Sequence, residues 1–176
     1  MREKHTLIVA FVLLGVVIYY SFFESHDSSK DREKKIGPPL LALRPEEIKR
    51  IEVKSLNSGE LIGEWKGKRW SLVKGKAVGD WGATIEDFIV NLVMTVEIDK
   101  FPVESSQLKA YGLENPDFQI TLTDITDKTY QILIGDTNPV RTSIYVKLAE
   151  SPLVIIVGAV LNYELQKIIP LLVPAP

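Results

Sequence analysis

The sequence predicts an α+β domain behind an N-terminal transmembrane helix, its antiparallel strands in blocks of three and four with two to three packing helices. Three observations predict it. Residues 6–23 (TLIVAFVLLGVVIYYSFF) carry no charge. Two later stretches alternate apolar and polar residues with period two, broken by Gly, Asn, Asp and Pro turns. Between them Ile85, Phe88, Ile89, Leu92, Val93 and Val96 recur at three- and four-residue steps, the stripe of a helix laid on a sheet.

After a short tail, residues 1–5, the run 6–23 would span roughly 27 Å as a helix, about the hydrocarbon thickness of a bilayer. A cleaved signal peptide needs small residues at its end, whereas this run closes on Ile18, Tyr19, Tyr20, Ser21, Phe22 and Phe23. A lipoprotein signal needs a cysteine, and the chain has none. A core helix of a soluble protein would show a polar face. The expectation is an uncleaved signal anchor in the inner membrane, with Tyr19, Tyr20, Phe22 and Phe23 as an aromatic belt at one interface. The short leading tail favours a cytoplasmic N-terminus and an extracytoplasmic, periplasmic domain.

Residues 24–39 form a charged tether: ESHDSSKDREKKIG is nearly devoid of apolar residues, and Pro38 and Pro39 stiffen its end. The domain is expected over residues 40–169. Ile48, Ile51 and Val53 start a strand, Asn57-Ser58-Gly59 turns into residues 60–65, and Lys66-Gly67-Lys68 turns into Trp70, Leu72 and Val73. Such short connections require an antiparallel meander. Thr84, with Asp87 three residues on, is expected to cap the helix. Residues 105–111 form a short second helix closed by Gly112, with Leu113 making the contact of a glycine cap. Strands follow at Phe118–Thr123, Tyr130–Ile134, Thr142–Lys147 and Leu153–Val157, then a helix near 159–168. Residues 170–176 are a proline-punctuated tail in which Leu171, Leu172 and Val173 either pack on the domain or dock on a partner.

Composition narrows the chemistry. Lysine and arginine number 21 against 23 acids, for a net charge of −2, which offers nucleic acid no basic footprint. Without cysteine there are no disulfides and no thiolate ligands. His5 and His26 flank the apolar run, away from any nucleophile or ligand partner. The glycine-rich stretch 75–82 precedes a helix, where a phosphate loop would sit, but it lacks the Gly-Lys-Ser/Thr ending and carries Asp80. Asp124, Asp127 and Asp136 lie in two turns that could share an edge of the sheet, and they read as turn-forming aspartates. Trp65, Trp70 and Trp81 remain: Trp65 and Trp70 flank a tight turn and can face each other, as core or as a recognition surface.

The residues Tyr111-Gly112-Leu113-Glu114-Asn115-Pro116, then Ile120–Asp124, Ile132-Leu133-Ile134-Gly135-Asp136 and Ile144-Tyr145-Val146, resemble the domain-of-unknown-function 4340 family in kind and order. Lys68–Leu72 and the helix near Thr84 extend the resemblance to about residues 46–168. The resemblance implies a membrane-anchored protein accessory to ABC transporters of the gliding-motility type, here as a single unit, and it carries over no catalytic residue.

The expected function is thus a non-enzymatic, single-pass membrane subunit whose outer domain is a scaffold or interaction module. Its partners would be the lipid bilayer and other membrane protein subunits, with no nucleic acid, cofactor or metal. Trp65, Trp70, Trp81, Leu171, Leu172 and Val173 are the candidate partner contacts. The alternative is an anchored module binding a glycan or peptide.

Overall fold

A computed structural model describes residues 37–174 of the chain. The apolar run 6–23, with Tyr19, Tyr20, Phe22 and Phe23, lies outside the described residues, as do both histidines and most of the tether. Among the described residues no helix is long and apolar enough to cross a membrane.

The strands are β1 (Ile48–Ser55), β2 (Gly59–Trp65), β3 (Trp70–Lys74), β4 (Glu97–Pro102), β5 (Phe118–Asp124), β6 (Thr129–Thr137), β7 (Ser143–Leu148) and β8 (Leu153–Gly158). The helices are α1 (Trp81–Val93) and α2 (Val160–Ile168), with short 3-10 turns at Pro45–Glu47, Ser105–Tyr111 and Ile169–Leu171. All eight strands form one sheet in the order β3-β2-β1-β5-β6-β7-β8-β4, and every pairing is antiparallel.

This corrects the expected class. Among the described residues the fold is mostly β, one continuous sheet with two small helices, not an α+β domain with separate blocks of three and four strands. The blocks merge because β1 pairs with β5, setting Ile51 opposite Leu122 and Val53 opposite Ile120 so that both bury on one face. The unexpected strand is β4, an edge strand reading Glu-Ile-Asp-Lys-Phe-Pro, whose polar residues give no alternation. The segment 105–111 is a 3-10 turn; its Gly112 does adopt the left-handed conformation, φ 67°, and Leu113 is buried.

The core lies between the sheet and the helices. Ile85, Phe88, Ile89 and Leu92 of α1 and Leu161, Leu165 and Ile168 of α2 join Ile51, Val53, Leu61, Ile120, Ile132 and Val146 of the sheet in one cluster. Gly63 of β2 lets α1 come close, since a Cβ there would lie 3.3 Å from the Ile85 side chain and 3.4 Å from the Trp70 ring. The buried Glu164 of α2 is held by Lys167 at 2.9 and 3.0 Å.

The reverse face differs from end to end. Across β2 and β1 it is a charged ladder: Arg50 pairs with Glu52 at 2.9 Å and with Glu64, and Lys74 pairs with Glu60 at 2.7 Å. Glu52 holds the Arg50 guanidinium above its ordinary range, and Lys74 holds the Glu60 carboxyl below its own. Near β4, β8 and β7 the same face carries stacked aromatics, with Phe101 5.4 Å from Tyr111 and Tyr111 5.0 Å from Tyr145.

Both ends of the described segment are hydrogen-bonded into the fold. Pro39 bridges Val96, and the Leu40 N–H donates to the Thr95 carbonyl at 2.8 Å, so the end of the tether is part of the fold. At the other end Val173 and Glu60 exchange backbone hydrogen bonds of 3.0 and 2.8 Å, and the Lys76 N–H donates to Leu171 at 2.7 Å. This strap requires Gly59, at φ 107°, because a Cβ there would lie 1.8 Å from the Val173 carbonyl oxygen.

Candidate functional site

Trp65 and Trp70 end β2 and begin β3 and are paired across the hairpin, as the tight turn between them requires. Their ring centroids lie 5.8 Å apart with planes inclined at 57°, so the pair forms a corner instead of a parallel stack. Trp70 is 7% exposed and belongs to the core, whereas Trp65 is 38% exposed. Trp81, the first residue of α1, is partly buried against the same core.

The corner opens onto two adjoining hollows that share Trp65, Trp70 and Glu86. The first, about 270 Å³, runs between the hairpin, the Pro45–Glu47 turn and α1, walled by Pro45, Ile48, Ile89 and Val90 and edged by Glu46 and Glu86. The second, about 400 Å³, lies at the start of α1 under Trp81, with Lys68, Arg69 and Asp80 around it. Together they make an aromatic-floored groove with Glu46 in the first hollow, Glu86 shared by both, and Lys68, Arg69 and Asp80 in the second. Such a groove can stack planar or apolar groups and fix charged ones at its rim; it brings no nucleophile and base together.

The second wall of the groove is a face of α1. Gly82, Glu86, Ile89 and Val90 lie four and three residues apart and so share a helix face, which the fold sets against the hairpin's end, with Ile89 also in the core. The sequence reading singled out the tryptophans but not Glu46 or Glu86.

The cap of α1 lies four residues earlier than expected. Asp80, not Thr84, is its cap: its carboxylate accepts from the Ala83 N–H at 3.2 Å. Thr84 instead donates its hydroxyl to the Asp80 carbonyl at 3.0 Å. A carboxylate thus occupies the position a phosphate would take at the end of the glycine-rich stretch.

The remaining candidates disperse. Asp124 and Asp127 sit in the β5–β6 hairpin and Asp136 at the far end of β6, so they do not share an edge. Asp124 accepts from the Thr126 hydroxyl at 2.6 Å, the Thr126 N–H at 2.7 Å, the Lys128 N–H at 3.0 Å and the Tyr130 hydroxyl at 3.3 Å. Those donors, the Thr126 hydroxyl first, hold its carboxyl below the usual carboxylate range. Asp127 pairs with Lys49 at 2.6 Å. Among the described residues no three His, Cys, Asp or Glu side chains are grouped to hold a metal. Leu171 and Leu172, expected as possible partner contacts, are each 2% exposed within their own core. Their burial leaves them no surface to offer, because the strap turns both inward; Val173 is half-buried and bonded to Glu60.

Comparison with curated proteins and with solved structures finds no match. The model of one family, described as Domain of unknown function (DUF4340), matches residues 80–168. The match starts at the cap of α1 and ends with α2, so it takes in Trp81 and Glu86 and leaves out the β1–β3 meander with Trp65 and Trp70. It covers half of the chain, and the protein therefore belongs to the DUF4340 family.

Proposed function

We propose that the protein is a non-enzymatic, single-pass membrane subunit whose folded domain contacts other subunits of a membrane complex through the tryptophan groove. The uncharged run 6–23 supports the anchor. The groove supports the contact: three tryptophans converge on one open hollow, the residue type most enriched where binding energy concentrates. This convergence is the observation that carries the reading. The sheet edges offer a partner less. Each edge strand has a register shift beside an exposed apolar residue, Val73 in β3 and Ile98 in β4, and β4 adds Asp99, Lys100 and Pro102, features that discourage strand addition.

A tether of the length of residues 24–36 has a reach of roughly 20 Å, which keeps such a domain beside its membrane and raises its effective concentration for membrane partners. An accessory role to a transporter, extracytoplasmic in location, is the finer form of this proposal.

Copurification in mild detergent at native expression tests it. The full chain is expected to retain a complex, and Trp65→Ala to lose it with an unchanged melting temperature. A strictly monomeric wild-type species contradicts the proposal. A second reading, an anchored glycan- or peptide-binding module, is favoured by the pairing of the exposed Trp65 with Glu46 and Glu86. Saturable binding of an oligosaccharide by the full chain, abolished by Trp65→Ala, would select it.

A further inference from the structure

We infer that the hollow between Trp65, Trp70, Glu46 and Glu86 receives a lysine or arginine side chain from the partner subunit; this deepens the interaction reading and rests on it. Among the described residues Glu46 and Glu86 are the only charged ones lining the hollow, and both are exposed. Among the described residues neither has a cation within ion-pair distance, whereas Glu60, Glu64, Glu97 and Glu164 each hold a lysine. The rest of its lining is Trp65, Trp70 and the aliphatic Pro45, Ile48, Ile89 and Val90. Indole faces attract cations, and the aliphatic walls suit the methylene stem of a basic side chain. The hollow, about 270 Å³, has room for one long side chain. The charge of a basic one is complementary to the rim.

The full chain in detergent micelles, labelled at its indole nitrogens, provides the test. The probes are Nα-acetyl-lysine amide, Nα-acetyl-arginine amide and the neutral isostere Nα-acetyl-norleucine amide. The basic amides are expected to shift the Trp65 and Trp70 indole resonances while the neutral one does not. The double variant Glu46→Gln, Glu86→Gln should weaken that response by roughly fivefold, the sum of two rim charge contacts. An equal response to the neutral amide, or an undiminished response in the double variant, overturns the inference. The copurified complex separates the two claims. A complex lost on Trp65→Ala but kept by the double variant sinks the basic side chain and leaves the partner reading standing. A complex kept by both variants sinks the partner reading and this inference with it.

Discussion

Asp124 shows how one side chain organises a turn. Its carboxylate gathers four donors from Thr126, Lys128 and Tyr130 and closes the β5–β6 hairpin, which explains why an acid can be buried there. Its folded-state pKa lies below the ordinary value. The stability it contributes is therefore present above the unfolded value of about 3.9 and lost as pH falls through the lower folded value. Denaturant midpoints measured from neutral pH down to acid should fall more steeply in the wild type than in Asp124→Asn. Parallel profiles would mean the carboxylate is not what secures the hairpin. Asp80 acts at the same scale: removing the cap with Asp80→Ala should cost about 0.5–2 kcal/mol in equilibrium denaturation.

At the scale of elements, the C-terminal strap joins sequence to stability most directly. Leu171 and Leu172 are buried, and fully burying a leucine is worth about 1.5–3 kcal/mol. Deleting residues 170–176 should therefore remove about 3–6 kcal/mol, a large part of a small domain's total stability. A broadened, non-cooperative melt is the expected result; an unchanged melt would show the strap to be dispensable. This tail was ambiguous in the sequence because prolines at 170, 174 and 176 forbid a regular element, so no periodicity reports which way Leu171 and Leu172 face.

Seven strands and both α-helices were legible because burial of one face writes period two or 3.6 into residues such as Ile120–Thr121–Leu122 and Ile85–Phe88–Leu92. β4 was not, because only Phe101 among its residues enters an aromatic cluster and Ile98 points to solvent at 60% exposure. The merging of two strand blocks into one sheet was hidden for another reason: the β1–β5 pairing joins residues some seventy positions apart, which no local pattern encodes. The same limit applied to the groove. Trp65 and Trp70 were placed opposite each other by their turn, but Glu46 and Glu86 reach them only through tertiary packing.

For the whole molecule, a single sheet divides the surfaces by role. One face is filled by the helices, and part of the reverse is a self-neutralising charged ladder. The tryptophan groove at the end of the β2–β3 hairpin combines aromatic area with open charge. The anchor proposed for residues 6–23 makes its own prediction: the full-length chain should keep its N-terminal mass and resist alkaline carbonate extraction from membranes. Release of a shortened chain would replace the tethered subunit with a free one.

Site-specific photo-cross-linking in intact membranes tests the central claim most directly, with a photoreactive residue at Ala83 in the groove or at Lys54 on the opposite, charged face. The account predicts a discrete adduct to another membrane protein from position 83 and none from position 54. Equal adducts from both positions, or an adduct from position 54 alone, would contradict it.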